Sequence, residues 1–509
     1  MQTRSRSRRP LYLAGRVALL LPLAVASCSS PDPAATLAKI DTIVVIYAEN
    51  RGFDHLYGLF PGANGIANAK PEQILQRDHD GSVLAGLTVW DNTGKADARF
   101  PKLPNAPFRI DAPPVAKSAG QVLVSPIHAY YHNIEQINGG RNDMFAAMST
   151  VGGYTMGHFD GSSMKLWQWA KEYTLADNFF MGAFGGSFLN HQWLVCACTP
   201  VFKDAPAEMR AQLDANGKLQ KKPGSPSALD GAVQTYTAGL GGQISPDGYA
   251  VNTSQPPYQP SGVPPAADGD LNLADTKGSA RLGAPLPPQT GKTIGDTLSA
   301  KGIDWAWYAG GWNAALEDGQ QAADKARAVI YTAKDGALNF QPHHQPFNYF
   351  ARFAPGTADR KKHIKDGGEL LVDIDAGKLP AVTFYKPTGK FNQHPAYTDL
   401  LTGDAHIADV LERLRKGPQW GRMLVIVTYD ENGGFWDHVA PPTGAGWGDR
   451  WGPATRVPTL IISPLAKRNH VEKTSYDTTS ILKLITKRFA LEALPGVREK
   501  SGDLTEALQ

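Results

Sequence analysis

The sequence predicts an α/β protein whose mostly parallel sheet is doubly wound, with helices on both faces. Three observations carry that prediction. Its short apolar runs are nearly continuous rather than alternating, as in strands buried on both faces. Between them lie segments whose apolar residues recur at helical spacing. Two of the runs end directly in acidic pairs, Glu49-Asn50 and Asp430-Glu431, and open α/β sheets gather their chemistry at the carboxyl ends of strands.

The first run is Ile43–Ala48, immediately before Glu49. A helical segment near Lys292–Lys301 leads into the run Ile303–Tyr308, which stops at Gly310-Gly311. Leu379–Tyr385 is the next strand. A helix follows from about Asp404, with Ile407, Val410, Leu411 and Leu414 on one face. It feeds the strand Met423–Thr428, then Val457–Ile462. A last helix starts near Asp477 and carries Ile481, Leu484, Ile485 and Phe489 as its apolar stripe. The stretch 201–289 breaks this rhythm. It is rich in Pro, Gly, Ser and Asp, with Pro256-Pro257 and Pro264-Pro265 as breakers, and it reads as an insertion or cap over the strand ends. The catalytic domain is then expected over 38–200 and 290–509.

A chain of 509 residues can bury a large core. Its net charge of +3 comes from Arg4, Arg6, Arg8, Arg9 and Arg16; without them 46 bases face 48 acids. Nucleic-acid binding by general electrostatics is therefore not indicated. Residues 1–27 read as an export signal. The basic region precedes Leu11–Ala26, apolar but too short and interrupted for a membrane span. Ser7-Arg8-Arg9-Pro10-Leu11-Tyr12-Leu13 resembles a twin-arginine signal. Val25-Ala26-Ser27-Cys28 resembles a bacterial lipobox, which would leave Cys28 lipidated and the protein attached to a membrane. Ordinary cleavage and release is the alternative. A polar linker, 28–37, follows, and the expected location is periplasmic, outer-membrane-anchored or secreted. Cys196 and Cys198 are separated by one residue, so a disulfide between them would be strained. They are expected as small buried apolar side chains.

Brought together at the strand ends, the two acidic pairs would offer three carboxylates and an amide oxygen, a hard pocket suited to a divalent cation. Between them in sequence, Ser187 follows Gly185-Gly186 and opens an apolar run that looks like a helix start. Helix N–H groups and the dipole favour negative charge there. The hydroxyl is a nucleophile if a cation stabilises its alkoxide; otherwise it is a helix N-cap. Trp305, Trp307, Tyr308 and Trp312 form the densest aromatic group, expected as core rather than pocket.

Several longer motifs then fall in order. Glu49-Asn50-Arg51-Gly52-Phe53-Asp54-His55, Ile137-Asn138-Gly139-Gly140-Arg141-Asn142-Asp143, Gly186-Ser187, and Tyr429-Asp430-Glu431-Asn432-Gly433-Gly434-Phe435-Trp436-Asp437-His438-Val439 span most of the chain. Together they resemble the bacterial phosphoesterase family that joins acid phosphatases and phospholipases C, within the alkaline-phosphatase-like superfamily. The resemblance implies one divalent metal ion, of a kind the sequence leaves open, held by Glu49, Asn50, Ser187, Asp430 and Glu431. It assigns phosphate contacts and leaving-group protonation to His128, His343, His344 and His394, and a further phosphate contact to Asn252. Imidazolium donors of this kind work best at mildly acidic pH. Asp437 and His438 would orient the Asp430-Glu431 loop, while His79, His363 and His470 read as surface or capping residues. The phospholipase branch carries Gly-Pro-Thr-x-Pro-Asn at the nucleophile, where this chain has Gly185-Gly186-Ser187-Phe188-Leu189-Asn190. That departure favours an exported acid phosphatase acting on phosphomonoesters through a phosphoserine. Phospholipase C action and a non-catalytic phosphate-binding lipoprotein are the alternatives. A sulfatase is disfavoured, since no Cys-x-Pro-x-Arg element is present.

Overall fold

The computed structural model describes residues 1–2, 32–237, 242–253, 255–332 and 336–509. Cys28 and nearly all of the expected export signal lie outside the described residues. Among the described residues no helix is long and apolar enough to cross a membrane.

Eight strands form the central sheet: β1 (Thr42–Ala48), β2 (Thr174–Ala176), β3 (Trp305–Ala309), β4 (Ile364–Asp366), β5 (Val382–Lys386), β6 (Met423–Tyr429), β7 (Thr459–Ile462) and β8 (His470–Glu472). Their spatial order is β8-β2-β7-β6-β1-β5-β3-β4. Only β7 runs antiparallel to its neighbours, β6 and β2. Every residue of β1 and β6 is buried, so both faces of the sheet centre are covered. Each large apolar side chain buried there contributes roughly 1.5–3 kcal/mol. The helices fall into two packed groups around it. Of α1 (Phe53–Tyr57), α2 (Tyr130–Ile137), α3 (Lys165–Glu172), α4 (Ser187–Cys196), α5 (Ile294–Ala300), α6 (Gly367–Asp375), α7 (Leu400–Lys416) and α8 (Thr478–Phe489), α7 packs on α3 and α6, whereas α4 packs on α5 and α8.

The register positions the site. β1 lies between β5 and β6, with Ile46 opposite both Tyr385 and Val427, and Ala48 opposite Tyr429. Glu49-Asn50 and Asp430-Glu431 therefore leave the sheet side by side at its carboxyl edge.

Some boundaries differ from expectation for local reasons. The helix expected from about Asp404 begins at Leu400, because Asp399 caps it, accepting from Thr402 N at 2.8 Å. Asp404 instead accepts from Lys165 N (2.7 Å) and Leu166 N (2.9 Å), capping α3. Part of the expected linker is a short helix, Pro33–Leu37, capped by Asp32. Cys196 and Cys198 are joined by a disulfide, contrary to expectation. A left-handed Ala197 (φ 47°) turns the chain back at the end of α4 and leaves the two Cα atoms 5.1 Å apart, within disulfide reach. His363 is not a surface residue: it is buried, stacks on Trp305 with ring centroids 4.2 Å apart, and its Nδ1–H donates to Trp305 O (2.7 Å). Trp305, Trp307, Tyr308 and Trp312 are all buried, as a core strand and the helix after it require.

Among its described residues, the stretch 201–289 holds only one short 3₁₀ turn, Ala207–Met209. It adheres to the main body through polar clasps. Glu135 accepts from Leu219 N (2.8 Å), Asp78 from Ala228 N (3.1 Å), and Arg450 pairs with Asp247 (2.7 Å). Its buried Met209, Ile244 and Val251 join the main core, while Val263, Ala274 and Leu282 form a small cluster of their own.

Candidate active site

The two strand-end loops are tied by their own backbones. Asp430 N donates to Ala48 O (3.1 Å), and Asn50 N donates to Asp430 Oδ1 (3.3 Å). Gly433 lets the loops approach this closely: its φ is +66°, and a Cβ there would lie 2.3 Å from Asn50 O.

Ser187 is the first residue of α4, with Gly186 in the N-cap position and no side-chain cap. The hydroxyl is thus free of the capping role that was its alternative, and it is buried at a helix end whose N–H groups favour negative charge. It donates to Asn50 Oδ1 at 3.4 Å. Asn50 Nδ2 in turn donates to His128 Nε2 at 3.3 Å. That direction is fixed because His128 Nδ1 sits 2.8 Å from Pro126 O and must carry the ring proton.

The expected acids converge, and the fold adds three residues that the motifs did not single out. One oxygen of Glu49, one of Asp430 and one nitrogen of His191 lie within 4.8 Å of each other, as do ligand atoms of Glu49, His343 and His344. His191 stands one turn after Ser187 on α4, and its Nδ1–H donates to Ser187 O (2.8 Å), leaving Nε2 without a partner. Tyr397 OH donates to Glu49 Oε2 (3.0 Å). Lys386, the last residue of β5, places its ammonium 2.7 Å from Glu49 Oε1 and 3.9 Å from Asp430 Oδ2. His344 Nε2 also touches Glu49 Oε1. Glu49 Oε1 thus sits between a lysine ammonium and an imidazole nitrogen. Glu431 joins from the other side, with Oε1 3.8 Å from His128 Nε2.

The electrostatics suit a bound cation. Burial, helped by Glu49, pushes Asp430 up to about 7. Burial and the Asp430 charge push Glu431 well above the carboxylate range. Burial would also raise Glu49, but His344 and Lys386 beside it hold it well below. Two buried oxygens, Asp430 Oδ2 and Glu431 Oε1, lack hydrogen-bond partners. Such a donor set fits a divalent metal ion, with imidazole nitrogen available beside carboxylate oxygen. The imidazoles themselves are neutral at rest. Burial lowers His128, His343 and His344, and takes His394 down to about 3. Burial thus opposes the imidazolium forms expected from sequence.

A cavity of about 440 Å³ adjoins these residues, with His128 and His394 on its wall beside Leu219, Thr237, Gln243, Asn252 and Thr253 of the stretch 201–289. Gly186 closes the gap to Ser187: a Cβ there would lie 2.6 Å from Thr253 Oγ1 and 2.7 Å from His128 O. His394 stacks on Tyr397 (4.2 Å) and meets His128 edge-on (5.6 Å). Asn252 shapes the wall. Its Oδ1 accepts from Tyr130 N (2.8 Å) and its Nδ2 donates one hydrogen to Gly242 O, which leaves the second amide hydrogen for a phosphate oxygen.

Behind the acidic loop, Asp437 and His438 are held as expected of supporting groups. Asp437 accepts from Arg456 Nε (2.8 Å) and Asp54 N (3.2 Å), and His438 Nδ1–H donates to Asp54 Oδ2 (2.6 Å). Burial draws His438 down, but the bond to Asp54 together with the charges of Asp54 and Asp437 outweighs this and raises it.

A mostly parallel sheet ending in buried carboxylates and histidines, set against a helix-borne serine, is the framework of an enzyme that handles charged ester groups. The chain belongs to the Phosphoesterase family, whose model matches residues 40–492, and it is a phosphoric ester hydrolase. It is 23% identical to Phospholipase C B of Mycobacterium tuberculosis over 495 residues, covering 89% of this chain and 74% of that protein. It is also 23% identical to the hemolytic phospholipase C of Pseudomonas aeruginosa over 508 residues, or 92% of this chain and 56% of the other. A solved protein of the alkaline phosphatase superfamily from Vibrio parahaemolyticus overlays 70% of this chain and 66% of its own, at 10% identity and a TM-score of 0.33, a loose overlap.

Proposed function

We propose that this phosphoesterase is a metal-dependent acid phosphatase that hydrolyses phosphomonoesters through a phosphoserine at Ser187. The observation that carries the reading is the uncapped Ser187 hydroxyl at the start of α4, 3.4 Å from Asn50 Oδ1 and beside buried acids from two adjacent strand ends. Glu49, Asn50, Ser187, Asp430 and Glu431 would hold one divalent cation. When bound, that cation supplies positive charge that stabilises a deprotonated serine oxygen and the phosphoryl oxygens. Ser187 Oγ bonds to phosphorus as the ester P–O bond breaks, and the departing alkoxide takes a proton from a ring nitrogen of His128 or His394 at the cavity wall. His343 and His344 face the transferring oxygens. Water then takes the place of the alcohol, releases phosphate and restores the serine. Because burial keeps these imidazoles neutral near pH 7, proton donation draws on a protonated minority that grows as pH falls, which favours an acid optimum.

Phospholipase C action is the second reading, favoured by the names of the relatives that align along most of the chain. Turnover of p-nitrophenyl phosphate and of phosphatidylcholine, measured across pH, separates them. The expected result is phosphomonoester turnover that rises below neutrality and falls on the order of 10³-fold or more in Ser187→Ala. Hydrolysis of the lipid alone transfers the assignment to phospholipase C. Phosphate binding without turnover of either leaves a binding lipoprotein. Export completes the proposal: Cys28→Ala moves the protein from the membrane to the soluble fraction if that cysteine is lipidated.

A further inference from the structure

Lys386 is fully buried, and its ammonium pairs with a buried carboxylate of the site. It projects from the end of β5, the parallel neighbour of β1, to 2.7 Å from Glu49 Oε1 and 3.9 Å from Asp430 Oδ2, with the Tyr47 ring centroid 5.4 Å away. A lysine stripped of water is costly unless a charge compensates it. Here the surroundings hold more negative charge than it can match. Glu49, Asp430 and Glu431 bring three carboxylates into one buried volume; a single divalent ion among them leaves one negative charge over. The lysine closes that difference.

We propose that Lys386 is a positioning residue: a fixed internal cation that completes the charge balance around Glu49, Asp430 and Glu431, so that the site is filled by one divalent ion and disfavours a second ion or a trivalent one. This rests on the metal-centred reading above.

The test uses the whole purified protein, stripped of metal and titrated with Ca²⁺ or Tb³⁺. Equilibrium dialysis counts the ions bound, and Tb³⁺ luminescence with competition by Ca²⁺ gives the ratio of affinities. Wild-type protein is expected to bind one Ca²⁺ per chain. Lys386→Met should shift preference toward Tb³⁺ by about tenfold or more, because each added unit of ionic charge then meets an uncompensated acid. Lys386→Arg, which keeps the charge, should hold the wild-type ratio. A merely structural lysine would weaken both ions by a common factor, and that result overturns the proposal. Two Ca²⁺ ions on the wild-type protein overturn it as well, whether or not Lys386→Met folds. Absence of any bound cation on wild-type protein instead sinks the metal-centred reading itself.

Discussion

Asp430 shows how a single buried acid couples proton, metal and stability. Its unfolded value is 3.8 and its folded value about 7, through burial and the nearby Glu49 charge. Between these values the folded chain holds the extra proton. Its contribution to the stability of metal-free protein is therefore full below about pH 4 and declines as pH rises to about 7. Thermal denaturation of chelator-treated protein should show that decline, and Asp430→Asn should flatten it. A divalent cation must displace the proton, so calorimetric titration at pH 6 in buffers of different ionisation enthalpy should record proton release on binding. At this scale the acids were legible because each directly follows a strand-like run, and Ser187 because two glycines precede it. His191, Lys386 and Tyr397 were not. Only the i, i+4 spacing of Ser187 and His191 could have drawn attention to a shared helix face; the lysine and tyrosine reach Glu49 only once β5 is laid beside β1.

The loop after β6 is the element that sets the geometry of the acids. Gly433 lies at φ +66° with no room for a Cβ against Asn50 O. Gly433→Ala should therefore cost about 1–3 kcal/mol in denaturant unfolding. It should also weaken divalent-ion binding, because the loop that holds Asp430 and Glu431 must back away from β1. If stability and ion affinity stay unchanged, the loop is not the template described here. The long strands and amphipathic helices were readable from their patterns, whereas β2, β4 and β8, three residues each, are too short to carry a period. Asp404 misled because acids at helix starts look alike: its own helix is capped by Asp399, and Asp404 caps a different helix distant in sequence.

Across the whole molecule, Arg456 fastens segments that sequence separates widely. Its fully buried guanidinium pairs with Asp437 (2.8 Å) and Asp54 (3.2 Å) and donates to Asn64 O (2.9 Å) and Asp177 O (2.7 Å). Arg456→Met strands two buried carboxylates and should cost about 3–5 kcal/mol, read as a lower urea midpoint. The mostly parallel sheet and the scarcity of regular elements over 201–289 were both legible. The polar contacts of that stretch, at Glu135, Asp78 and Asn252, were not, since no local pattern marks a partner across the fold.

The central position of β1 has a consequence for how the protein comes into being. Both strands that flank it, β5 and β6, are encoded more than 300 residues later, so β1 waits without its sheet neighbours until that length of chain has emerged. Such long-range pairing slows folding and leaves a sticky edge in the interim. A chaperone that shelters nascent chains should therefore raise the yield of active enzyme, and messages truncated before the codon for Met423 should give only aggregated product.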